Sequence, residues 1–537
     1  MRTPEAYPLV ATGSTDSLEP PAALASSSRM ASRGSSRAAS RASSVRGSVS
    51  DMPEPSAELL SSIGVDLEAG SRPVSVRGSP RIVDDANVLF KAPDADDFDD
   101  EHSASAPLLH ESERATLEEE DLVLSDGPMT ARGTMMDGIA NMANSILGAG
   151  IIGLPYAIRQ AGFVTGVILL VVLAGVTDWT IRLVVLNAKL SGRDSYVDVI
   201  RHCFGPMGSG AVSFFQFAFA FGGMCAFNVI IGDTIPQVLD FVFPFLGEHA
   251  VLNLLVDRRF VIVLCTAAVS FPLSLHRDIV KLSKSSGFAL VSMGIIVVSV
   301  VLRGVAVDPS LRGSSLDVFS IMKPGVFEAI GVISFAFVCH HNTMFIYKSI
   351  QIPTLDRFNA VTHASTGMSL VCCLLMSVTG YLVFTDKTEG NILNNFAKDD
   401  WVINIARFCF GANMSTTIPL ENYVCREVIE DWLYKDKPFN RTRHIVITAA
   451  IVFSAMLISL LTCDLGVVLE IAGGLSATAL AFIFPASAYF VLMKGPWTSR
   501  QKLPAVICTA FGCIVLLLST AITIKKTFSG EVSHKQC

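Results

Sequence analysis

From residue 139 onward the chain alternates long apolar runs with short polar breaks. A helix needs about 20 mostly apolar residues to cross a bilayer. Eleven runs of that kind follow one another, at 139–160, 163–187, 208–235, 259–275, 285–303, 327–347, 361–384, 402–425, 445–463, 466–492 and 504–524. Charged or turn residues bound them, as His276-Arg277-Asp278 does after the fourth and Asp386-Lys387 after the seventh. The fourth is the shortest. The pattern predicts an all-α integral membrane protein of eleven spans. No apolar period of either kind runs through residues 1–130.

The first run undermines its own helix. Asn141, Asn144 and Gly148 fall on one helical face, and Gly148, Gly150, Gly153 and Pro155 follow within a few residues. Glycine costs roughly 1 kcal/mol per helical position relative to alanine, and proline about 3, so local unwinding is expected here. At membrane depth, unwound backbone is tolerated only where it is buried or lines a cavity. The three glycines also satisfy Gly-x-Gly-x-x-Gly. That dinucleotide-binding pattern needs a preceding strand inside a soluble βαβ unit, and a membrane-length apolar run excludes it.

The sixth run is interrupted too. His340, His341, Asn342 and Thr343 form a polar cluster within it. If the first ten spans form two five-helix halves, spans one and six correspond, and paired interruptions at matching places point to a transport site. Ionisable groups inside a membrane are rare and mostly functional, although histidines also hydrogen-bond between neighbouring helices for packing alone.

In span eight, Ser415, Thr416 and Thr417 precede Pro419. Their hydroxyls can supply oxygens to a hard cation, or satisfy carbonyls that the proline leaves without a donor. Glu421 and Glu470 are acids within or near the bilayer that either pair with a base or carry a proton. Asp233, near the outer end of span three, reads as interfacial.

Composition sharpens the division of the chain. Of 537 residues, 51% are hydrophobic, and mean hydropathy is +0.50. Residues 1–130 hold 11 Lys/Arg against 23 Asp/Glu, whereas the remainder holds 30 against 25. The acidic balance therefore belongs to a tail, and no strongly basic face offers itself to nucleic acid. With so little apolar surface to offset chain entropy, residues 1–133 are expected to be a disordered cytosolic tail, Ser/Arg-rich and then acidic. Its first 30 residues hold no apolar core of a signal peptide. Ser36, Ser40, Ser44 and Ser75 each follow an arginine by three residues, which suits basophilic kinases. Residues 134–527 form the membrane domain, and 528–537 a short C-terminal tail. The cysteines lack both metal-ligand spacing and a disulfide framework. Loops expected inside hold 16 Lys/Arg against 11 outside, which favours a cytosolic N-terminus.

These residues resemble a known family. Asn144-Ser-Ile-Leu-Gly-Ala-Gly-Ile-Ile-Gly-Leu-Pro-Tyr-Ala is similar to the first helix of the amino acid/auxin permeases, which include sodium-coupled neutral amino acid transporters and fungal vacuolar amino acid transporters. Ser334-Phe-Ala-Phe-Val-Cys-His-His-Asn-Thr resembles their sixth helix, and Pro272-Leu-Ser-Leu-His-Arg-Asp-Ile their fourth-to-fifth junction. Thr417-Ile-Pro-Leu, with Arg426 beyond, is similar to their eighth. The resemblance runs over about 134–527. It implies a five-plus-five inverted repeat with broken helices one and six and an eleventh helix. It further implies that Gly148, Ala149 and Gly150 bind a substrate carboxylate, and that Phe337, Val338, Cys339 and His340 face the amino group. Asn144 and Thr417 match residues implicated in sodium coordination. After the sixth-helix histidine the neutral transporters often carry Pro-Glu, where this chain has His341-Asn342.

The expected function is secondary active amino acid transport by alternating access, not an enzyme, with no cofactor beyond a coupling proton or sodium ion. For a proton, His340, His341, Glu421 and Glu470 are the candidates; for sodium, Asn144 and Thr417. An amino acid sensor signalling through the tail is the alternative. A vacuolar or lysosomal membrane is expected, with the plasma membrane second.

Overall fold

The computed structural model describes residues 133–248, 252–276, 286–314, 318–435 and 437–528. The expected tails, including the four serines, lie outside these residues, as does most of the fourth-to-fifth junction. Among the described residues there is no strand, only a lone parallel bridge between Gly133 and Ile350. The architecture is all-helical, as the apolar pattern predicts.

Seven described helices are long and apolar enough to cross a membrane, and the bent pair Met135–Ile146 and Ala149–Ala161 makes an eighth. These eight correspond to spans one, two, three, six, seven, nine, ten and eleven. Span five is the helix Ser286–Val305 and span eight the helix Trp401–Leu433. Span four is a composite of Arg258–Cys265, a π-helical turn Thr266–Ser270 and Phe271–Ser274. These three are shorter or more polar than the rest, so length and composition support eight spans, and the count of eleven stays with the sequence.

Polar caps decide where several spans begin. Thr134 and Asp137 form a reciprocal capping box ahead of Met135–Ile146, which satisfies amide donors that an isolated helix start leaves free. Asp257, Thr354, Asp400, Asn440 and Asp464 do the same for spans four, seven, eight, nine and ten through single side-chain oxygens. Span three runs from Tyr196 to Val242, longer than its apolar core, and is kinked at Gly205 (φ 69°) ahead of Pro206.

Small residues let the central helices approach closely, as membrane helix packing requires. A Cβ on Gly473 of span ten would collide with the Gly331 carbonyl of span six. Span ten is also locally widened into π-helix over Ala472–Ala477 and Ala479–Ile483, a distortion frequent at functional sites.

Candidate functional site

Span one breaks where its glycines predict. The helix Met135–Ile146 ends at Leu147, whose N–H donates to the Ala143 carbonyl. Gly148 then leaves helical geometry (φ −47°, ψ −146°), and a buried 3-10 turn, Ala149–Gly153, leads into the helix Leu154–Ala161. The two halves meet at a bend of 40°. Such a break exposes the last carbonyls of one half and the first amides of the other.

Span six breaks at Val338 and Cys339. Val326–Phe337 ends with Val338 extended (φ −74°, ψ 119°), and His340–Ser349 begins after Cys339. Phe337, Val338, Cys339 and His340 are all buried. The two breaks adjoin: a Cβ on Gly150 would overlap the Cα and Cβ of Ala336, two residues before Val338. The sequence-predicted backbone segments therefore come together.

The polar cluster after the second break divides by residue. The His340 Nε2 lies 3.0 Å from the Thr180 hydroxyl of span two, which itself donates to the Thr177 carbonyl. Thr343 donates to the Cys339 carbonyl at 3.1 Å. Neither ring nitrogen of His341 finds a hydrogen-bond partner. Its ring rests on Phe219 of span three, with centroids 5.1 Å apart.

The proposed ion ligands look different in place. Asn144 sits two residues before the end of the first half-helix. Thr417 donates to the Asn413 carbonyl at 2.8 Å, Ser415 to that of Gly411 at 2.9 Å, and Thr416 to that of Asn413 at 2.9 Å. Pro419 has no N–H, so the Ser415 carbonyl lacks its helical donor. Ser270, on the π-helical turn of span four, supplies one at 3.1 Å. The three hydroxyls of span eight thus bond within their own helix, and the carbonyl freed by the proline is satisfied from a neighbour.

The two acids also part company. Glu470 accepts from the Tyr156 hydroxyl at 3.0 Å and lies 3.4 Å from the Gln160 amide nitrogen, which ties the second half of span one to span ten. Glu421 Oε2 is buried with no hydrogen-bond partner, and its Cγ faces Gly223 of span three. Asp233, expected at the interface, pairs with Arg258 at 3.2 Å and accepts from Asn391 and Asn394 of the loop after span seven.

Sequence reasoning missed Thr180, Phe219, Tyr156 and Gln160. Only the hydroxyls Thr177 and Thr180 inside span two were a visible signal; the others depend on which faces meet. An apolar groove of about 360 Å³ lies elsewhere, between the C-terminal end of span three and the start of span eight, lined by Leu239, Phe243, Trp401 and Phe408. Its lining holds no charged group to grip a zwitterion.

Comparison with known proteins agrees with this geometry. The family description "transmembrane amino acid transporter protein" matches residues 131–525. Vacuolar amino acid transporter 2 of Saccharomyces cerevisiae is 40% identical over 410 residues, covering 74% of this chain and 85% of its own. A Danio rerio protein, named provisionally as sodium-coupled neutral amino acid transporter 11, is 37% identical over 424 residues, or 79% and 92% of the two chains. The crystal structure of MhsT in complex with L-phenylalanine shares the fold, with a TM-score of 0.51 at 13% identity over 72% of this chain and 98% of that one. Broken helices in the expected places, a family match over most of the chain and these relatives lead to one conclusion: the protein belongs to the transmembrane amino acid transporter family.

Proposed function

We propose that the chain is a proton-coupled secondary transporter that moves an amino acid across a vacuolar membrane by alternating access. The observation that carries the reading is the adjacency of the two helix breaks at Gly150 and Ala336. Amides freed around Gly148, Ala149 and Gly150 suit a carboxylate, since helix starts favour negative charge. Carbonyls at Phe337 and Val338 end a half-helix and suit an ammonium group. A zwitterionic amino acid presents both charges on neighbouring atoms, and so fits between two such ends.

A proton is favoured over sodium because His341 and Glu421 hold buried polar atoms without partners; Thr417 donates within its own helix, which leaves its oxygen lone pairs open and decides nothing against sodium. Asn144 and Thr417 remain the sodium ligands of the competing reading. The vacuolar membrane is suggested by the name of the yeast relative, and the loop charges support a cytosolic N-terminus. The serines of the tail are then accessible to cytosolic kinases.

Radiolabelled amino acid flux into proteoliposomes tests the reading. Saturable uptake is expected. Tight binding with no flux would replace it with an amino acid sensor.

A further inference from the structure

Glu421 lies inside the apolar run 402–425 of span eight, four residues from its end, about 6 Å along the axis at 1.5 Å per residue. A charge at such depth is costly unless it has a partner. Three other acids in these helices have one: Asp178 pairs with Arg182 at 3.0 Å, Asp233 with Arg258, and Glu470 with Tyr156. The buried Oε2 of Glu421 has none.

Its surroundings are specific. Thr417 precedes it by four residues and Asn413 by eight, so the three share one helical face. Opposite is Gly223, where a Cβ would come within 3.9 Å of the Glu421 Cγ. Four residues before Gly223 on the same helix is Phe219, on whose ring His341 rests. Two ionisable side chains with unpartnered buried atoms thus occupy consecutive turns on one face of span three.

Charged groups on the packed elements are engaged elsewhere or lie near helix ends. Arg426 donates to the Ser274 carbonyl and the Thr448 hydroxyl. On span three, Asp198 and Arg201 pair near one end, where His202 also lies, and Asp240 is near the other. Arg258 of span four meets Asp233, and Arg303 of span five meets Asp400. On span nine, His444 contacts the Leu275 carbonyl, Arg443 that of Pro438, and Arg441 begins the helix. Glu427 and Glu430 lie further along span eight. The titratable neighbours left beside Glu421 are Cys425 and, across from it, Cys225 of span three.

We propose that Glu421 is the carboxyl that takes up and releases the coupled proton, packed against the face of span three on which His341 also rests. The assignment rests on the proton-coupled reading above. An O–H bond forms at Oε2 when the site faces the acidic side and breaks when it faces the other. The carboxylate then returns unchanged, one proton having crossed.

The test is Glu421→Gln in the full chain, reconstituted in proteoliposomes with an internal pH dye and a radiolabelled mixture of the common amino acids. Accumulation driven by a pH gradient, and the dye response to added amino acid, should fall by about tenfold or more. Amino acid exchange at equal pH should persist and lose its pH dependence, because glutamine imitates the protonated carboxyl. Wild-type accumulation in a well-folded E421Q would overturn the proposal and leave the transporter reading intact. Loss of exchange together with accumulation would also overturn it, since Glu421 would then be a structural or substrate group. Glu421→Asp guards against misfolding of the first variant. It should shift the pH midpoint of accumulation, and an unchanged midpoint counts against the assignment. Wild-type accumulation that follows sodium and ignores pH would overturn both this assignment and the reading beneath it.

Discussion

Gly150 and Ala336 touch through their backbones, and there the two broken helices of this transporter meet. The same contact sets what each glycine of the first break can tolerate. Gly148 has only the Ser145 and Asn144 carbonyls near its missing side chain, at 3.8 and 4.0 Å. The sequence alone suggests that leucine at either position would spare folding and abolish binding; the geometry separates them.

Gly150→Leu should therefore lower the amount of folded protein, since overpacking a tight contact costs about 1–3 kcal/mol or more. Gly148→Leu should fold and lose substrate binding. Thermal stability by size-exclusion chromatography and amino acid affinity, measured on both, check this. Equal stability of the two variants would contradict the packing at Ala336.

The hydrogen bond between Tyr156 and Glu470 joins span one to span ten. Removing the hydroxyl leaves a buried carboxylate one donor short, at about 1–3 kcal/mol. Tyr156→Phe should lower the melting temperature. In the Glu470→Gln background the same change should cost less, because the two residues share one interaction. Additive losses would mean that the pair does not interact.

Residues 1–130 lack the apolar surface to form a core. A chain beginning near Thr130 should insert and transport at a rate per molecule comparable to the full chain. Lost flux with normal insertion would assign the tail a part in the cycle.

Asn144→Ala and Thr417→Ala distinguish the coupling ions. With protons, neither should change the response to sodium, and Thr417→Ala should cost only an intrahelical bond, about 0.5–1.5 kcal/mol. A selective loss of sodium activation in either variant would make these residues ion ligands after all.

Much of this was legible from residues whose effects are local. Gly148 with Gly150 announced the first break, because backbone propensity acts within a turn. His340 to Thr343 announced the second, because polar groups in an apolar run are costly wherever they sit. What those groups touch was not legible. Thr180 meets His340 across 160 positions and Ser270 reaches Ser415 across 145. Such pairings depend on helix rotation, which a run apolar on every side does not encode. The partners of Asp233 were hidden for a related reason: Asn391 and Asn394 come from a distant loop. Glu421 and Glu470 look alike in sequence, and only the presence of Tyr156 beside one separates them.

The central claim is amino acid transport driven by a proton gradient. Its most direct measurement is amino acid accumulation in proteoliposomes under an imposed pH gradient, with sodium replaced by choline. The account predicts concentrative uptake that collapses when a protonophore removes the gradient and is unaffected by the loss of sodium. Uptake that fails in choline and returns with sodium at fixed pH would contradict it.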